Sequence, residues 1–157
     1  MKLDNQWLVL GGFVAVSFVV AAAGGAATVS AVREWYPTLS KPSWTPPSWV
    51  FGPVWTLLYA MMAVAAWLVW RRAGWCGAPA WFAAQLALNA VWSPLFFGLH
   101  WIGVALLDIG LLWVAIAATM AAFWQVTPLA GWLFVPYLAW VSFAAALNFA
   151  IWRLNLH

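Results

Sequence analysis

Residues 102–125 read IGVALLDIGLLWVAIAATMAAFWQ, with Asp108 as their one charge. As a helix rising about 1.5 Å per residue, the segment is about 36 Å long, enough to cross a hydrocarbon core of about 30 Å. It is apolar all round, and so is the rest of the chain. Runs at about 6–30, 47–70, 79–99 and 129–153 have the same character. Of the 157 residues, 68% are hydrophobic and 6% charged, far below the quarter or so of charged residues that a water-soluble domain uses. Nine charged side chains cannot coat a soluble core of this size. The bilayer is therefore the expected solvent, and the fold class is an all-α integral membrane protein with five transmembrane helices. A transmembrane β-barrel is rejected, because its strands would alternate apolar with polar residues over about ten positions. The first run is too long for the apolar region of a signal peptide and is read as a retained helix.

The breaks between runs are Arg33 to Pro47, Arg71-Arg72-Ala73-Gly74, Gly98-Leu99-His100 and Thr127-Pro128. All but the first are very short, so consecutive helices are expected to be antiparallel neighbours in a compact up-down bundle forming a single domain, residues 1–157. The first break, the His100 turn and the C-terminus then share one side of the membrane. Arg33, Lys41 and Arg153 fall on that side and Lys2, Arg71 and Arg72 on the other, so the positive-inside rule gives no orientation. The net charge of +3 is dispersed, which argues against a nucleic-acid partner. Cys76 is the sole cysteine, excluding an internal disulfide and a thiolate metal cluster. No metal-binding or phosphate-loop motif occurs, and His100 and His157 lie in a turn and at the terminus.

Polar groups at membrane depth are costly and are functional candidates by default. Counted from the first-loop side, Asn148 lies about 8 Å deep, Asp108 about 10 Å, Trp55 about 12 Å, Asn89 about 15 Å and Trp140 about 20 Å. All fall in one half of the bundle. Helical spacing puts Gln85, Asn89 and Trp92 on one face of the third span, Trp55 and Tyr59 on one of the second, and Tyr137, Trp140, Ala144 and Asn148 on one of the fifth. Two readings follow: an aromatic-walled pocket opening toward the first loop, or polar residues acting as interhelical glue with tryptophans filling space. Singly, the amides fit glue better. The aromatic set fits a pocket, since 16 tryptophans exceed what two interfacial belts require. Trp44, Trp49, Trp75 and Trp101 are expected in those belts. For Asp108, an ion pair with Arg153 or a helix-capping contact is expected rather than a proton relay. The loop over 31–46 is stiffened by prolines and is expected to act as a lid, with Thr45 capping the next helix. Pro53, Pro94 and Pro136 are expected to loosen their helices. Small residues at Gly24-Gly25, and at Ala80, Ala83, Ala84 and Ala87, offer close-packing faces, within the bundle or between two copies.

Four segments together resemble the TspO/MBR family of tryptophan-rich sensory proteins, translocator proteins and peripheral-type benzodiazepine receptors. They are Trp35-Tyr36 with Lys41-Pro42-Ser43-Trp44-Thr45-Pro46-Pro47, Val54-Trp55-Thr56-Leu57-Leu58-Tyr59, Gln85 through Gly98, and Val135-Pro136-Tyr137-Leu138-Ala139-Trp140 through Asn148-Phe149. The resemblance spans essentially the whole chain. It implies a five-helix membrane protein, usually a homodimer, binding porphyrins such as protoporphyrin IX and other tetrapyrroles, with no required cofactor. It also implies that Trp35, Tyr36, Trp55 and Trp140 are ligand-pocket aromatics, that Ala144 is the small wall residue and that Asn89 belongs to the polar lining. The expected function is a tetrapyrrole receptor or translocator with a sensory role. The alternative is a light-dependent porphyrin-degrading enzyme using Trp55 and Trp140. The family's cholesterol-recognition pattern is not met, because Phe149 stands where a tyrosine is required before Arg153. The short C-terminal segment resembles bacterial members, so a bacterial cell membrane is the expected location, an outer membrane being the other possibility.

Overall fold

The computed structural model describes residues 3–75 and 78–156. Lys2, Cys76 and His157, on which readings above touch, lie outside the described residues. Among the described residues there are five α-helices: α1 (Leu3–Glu34), α2 (Phe51–Ala73), α3 (Ala78–Ser93), α4 (Ile102–Val126) and α5 (Pro128–Leu154). Each is long and apolar enough to cross a membrane, α3 by virtue of a π-helical turn over Pro94–Gly98 that extends it. No strand occurs among the described residues. The chain is a multi-pass helical membrane protein.

The helices close into a ring in which α4 packs on α5, α5 on α2, α2 on α1, α1 on α3 and α3 back on α4. This corrects the expectation that consecutive helices are neighbours throughout. α2 and α3 scarcely touch, because α1 packs against both from the side. α1 and α3 run in the same direction. Phe13 meets Phe82 edge-on at 5.8 Å, and a Cβ on Gly24 would lie 3.3 Å from Ser93 Oγ. Gly24 thus lets α1 approach α3 within the bundle, settling that small-residue position as internal packing.

A ring of five helices leaves a centre to be filled. At the end near Arg71 and Thr127 it is filled by aromatic rings: Phe82 stacks on Phe123 at 6.2 Å, and Phe123 meets Phe134 edge-on at 5.2 Å. Met62, Ala66 and Val69 of α2 and Ile116 of α4 complete this plug. Toward the first loop the centre is left open. Outward-facing side chains such as Leu57, Leu107, Leu111 and Trp132 are exposed and apolar, as lipid contact requires. Trp44, Trp49, Trp75 and Trp101 are exposed as well.

The first loop and the C-terminal end lie together. Asn155 accepts a hydrogen bond from the Ser40 amide at 3.1 Å and donates through Nδ2 to the Ser40 carbonyl at 2.9 Å. Several local expectations change. α1 continues to Glu34, so residues 31–34 belong to the helix and not to the loop. Thr45 does not cap α2: its hydroxyl donates to the Pro42 carbonyl at 2.7 Å, and a 3-10 turn over Ser48–Val50 leads into the helix instead. Pro53 stands in the first turn of α2, where no intrahelical donor is lost. Pro136 does sit inside α5 and leaves the Trp132 carbonyl without its helical donor.

Candidate ligand cavity

The open half of the ring is a cavity of about 540 Å³, within the range of about 300–1,000 Å³ typical of small-molecule sites. α2 contributes Trp55 and Tyr59, α3 contributes Asn89 and Trp92, and α5 contributes Ala144 and Asn148, with Tyr36 from the first loop. α1 supplies the remaining wall through Phe18, Ala21, Gly25, Thr28 and Val32. The proximity of these residues has a simple cause. Each helix turns one face inward at i, i+3, i+4 and i+7, and the ring brings the inward faces together.

The polar groups of the wall are largely spent on one another. Tyr59 donates its hydroxyl to Asn89 Oδ1, and Asn89 Nδ2 donates to Tyr137 Oη at 2.9 Å, so one amide ties α2, α3 and α5. Trp92 Nε1 donates to Asn148 Oδ1 at 3.2 Å, and Asn148 Nδ2 donates to the Ile102 carbonyl at 3.0 Å, tying α3, α5 and the start of α4. Thr28 and Thr56 return their hydroxyl protons to the Gly24 and Gly52 carbonyls of their own helices. Glue and pocket lining are therefore the same residues. A guest meets an apolar, aromatic surface whose deeper polar atoms are already satisfied.

Seven of the ten candidates named above line the cavity: Tyr36, Trp55, Tyr59, Asn89, Trp92, Ala144 and Asn148. Three stand behind it. Tyr137 is fully buried and holds Asn89 from the rear. Trp140 packs its ring on Phe51 at 5.7 Å and on Phe143 at 5.6 Å, so Phe51 presents the surface that the sequence reading assigned to Trp140. Trp35 lies flat against His100 at 4.0 Å and meets Phe96 edge-on at 5.7 Å. His100 itself adopts left-handed backbone (φ 58°), which reverses the chain toward α4 and sets the imidazole against that indole. Gln85 is fully buried with neither amide atom hydrogen-bonded, and it does not reach the cavity.

Asp108 departs from its expected role. It is buried in α4 beyond the first turn, and its Oδ2 makes no hydrogen bond. The α4–α5 register, set by Trp113 Nε1 donating to Ser142 Oγ at 2.8 Å and by Trp152 lying over Gly103, places Asp108 level with Leu147. Arg153 is then about six residues, or about 9 Å of rise, further along α5. Its guanidinium sits over the Phe149 ring at 5.9 Å instead. The ion pair is not formed, and Asp108 is too far along its helix to cap it.

The loop is fastened rather than loose. Lys41 Nζ donates to the carbonyls of Tyr36 at 2.7 Å, Leu39 at 3.0 Å and Pro37 at 3.4 Å, and lies 4.9 Å from the Tyr36 ring. Tyr36, held at the mouth, is partly buried, which pushes its phenol above the ordinary tyrosine range. It is a neutral hydroxyl throughout the physiological pH range. The α1 wall escaped sequence reasoning, which followed polar and aromatic residues. Its signal was the spacing of Phe18, Ala21, Gly25, Thr28 and Val32 along one helical stripe.

A ring of membrane-spanning helices around an aromatic cavity, closed at one end by phenylalanines and facing a fastened loop at the other, defines a polytopic membrane protein with an intramembrane pocket. The TspO/MBR family model matches residues 13–153. The chain belongs to that family. It is 48% identical over 139 residues to the tryptophan-rich sensory protein of Cereibacter sphaeroides, covering 87% of this chain and 88% of that one. Similarity to protein CrtK of Rhodobacter capsulatus is 44% identity over 147 residues (90% and 91% of the two chains), and to the human translocator protein 47% over 127 residues (78% and 75%).

Proposed function

We propose that this protein is a membrane receptor or translocator that binds porphyrins and related tetrapyrroles in the cavity and serves a sensory or regulatory role. The observation that carries this reading is the wall itself: Trp55, Tyr59 and Trp92 converge on a space of about 540 Å³ whose deep polar atoms are already paired. Such a surface rewards a large, flat, apolar guest through burial and stacking and offers little to a small polar one. Relatives called tryptophan-rich sensory protein and translocator protein support the same reading, and the bacterial ones among them favour a bacterial cell membrane. Titrating purified protein with protoporphyrin IX tests it. Saturable quenching of tryptophan fluorescence in the micromolar range is expected, whereas absence of saturable quenching would refute the proposal. Loss of porphyrin absorbance under light with a new product would assign the enzymatic alternative.

We also propose a homodimer across α3. Ala80, Ala83, Ala84 and Ala87 are all exposed, so this stripe of small residues is not consumed by packing inside the bundle. Ala84→Trp is expected to halve the protein mass measured by light scattering in detergent while leaving helicity intact. An unchanged dimer mass would place the interface elsewhere, and a monomeric wild type would remove it.

A further inference from the structure

Arg33 stands in the last turn of α1, exposed, and is among the residues that line the cavity. The other two cations on this side of the bundle are engaged otherwise. Lys41 is committed to three loop carbonyls, and Arg153 lies over Phe149, neither of which lines the cavity. Among the described residues Arg33 makes no side-chain hydrogen bond and no ion pair. Glu34, next to it, is absent from the wall. Asn89, Tyr59, Trp92 and Asn148 are spent on hydrogen bonds within the wall, and Arg33 is the one charged residue on a lining that also includes Tyr36 and Ser48, so charge recognition is concentrated at this guanidinium. A guanidinium is a forked donor matched to a carboxylate.

We propose that Arg33 is the anion anchor of the cavity, so that the site selects amphipathic ligands that insert an apolar ring system and leave a carboxylate at the mouth. This rests on the tetrapyrrole reading above and adds to it an orientation and a chemical preference: acid side arms toward the first loop, macrocycle toward Trp55 and Tyr59. Because the guanidinium is exposed, solvent screening limits its contribution. The preference is correspondingly about tenfold in affinity.

The test compares protoporphyrin IX with its dimethyl ester, which keeps the macrocycle and removes both charges, on full-length protein in neutral detergent. Wild type is expected to bind the diacid about tenfold more tightly, with that advantage shrinking as salt is raised. Arg33→Gln should remove most of the advantage by weakening the diacid far more than the diester, and Arg33→Lys should restore part of it. Equal binding of the two ligands by wild type would overturn the anchor and leave the tetrapyrrole site standing. So would an Arg33→Gln protein that still prefers the diacid, the behaviour of an arginine that serves only lipid phosphates. Failure of both porphyrins to bind wild type would remove the underlying reading, and the anchor with it.

Discussion

Asn89→Leu is expected to destabilise the bundle by about 2–4 kcal/mol, because it orphans two buried hydroxyls at once, each costing about 1–3 kcal/mol when left unpaired. Tyr59 gives its proton to Asn89 Oδ1, and Tyr137 takes one from Asn89 Nδ2. Leucine has similar bulk and supplies neither contact. Interhelical hydrogen bonds in membrane proteins often contribute only about 0.6 kcal/mol, because the separated helices find other partners. The larger figure applies here because Tyr137 is fully buried behind the wall, where no water replaces the lost amide donor. Denaturant unfolding in detergent measures the loss. Adding Tyr59→Phe and Tyr137→Phe to the leucine variant should recover most of it, since an apolar group then replaces every member of the network. A loss below about 0.5 kcal/mol, or no recovery in the triple variant, would show that this relay does not hold the three helices together.

Trp55→Ala is expected to weaken protoporphyrin binding by about 1–3 kcal/mol, removing the largest aromatic surface that α2 presents to the cavity. The ring is held in place by Tyr59 at 5.6 Å and by the edge-on contact with Tyr137 at 6.1 Å, so it is a preorganised stacking platform. Trp140→Ala is expected to cost less affinity, because its indole supports Phe51 from behind and does not line the space. Ala144→Thr, on the wall itself, should also reduce binding by intruding on the guest. Fluorescence titration of the three variants, each checked for native helicity, gives the order. A greater loss from Trp140 than from Trp55 would move the ligand behind Phe51.

The spans were legible because a membrane helix is read from composition and length alone. Residues 102–125 needed no partner to be recognised, and α4 occupies Ile102–Val126. Its polar neighbours were legible as well. Asn89 and Asn148 stand out in apolar runs, and helical spacing joined Asn89 to Trp92 and Asn148 to Ala144. The identity of the hydrogen-bond partners was not legible, since glue and pocket lining call for the same residue types at the same depth.

Two errors show where one-dimensional reasoning stops. Short loops suggested that α2 and α3 pack together, yet α1 lies against both, and which neighbour a helix takes depends on the fit of whole faces rather than on loop length. Asp108 and Arg153 appeared to share an end, but the α4–α5 register separates them along the axis. Trp140 belongs to the same class of outcome: it has the right depth and the wrong rotation, since about 100° per residue decides whether a ring faces the centre or the helix beside it.

By itself, then, the sequence determined the solvent, the number of helices and the half of the bundle in which polar and aromatic groups gather. Those properties follow from transfer free energies and chain length, which each segment carries locally. Only the tertiary structure decided the ring order, the paired state of the deep polar groups and the placement of Arg33 on the wall. These depend on how five rotations and five registers are satisfied at once, and no single helix contains that information.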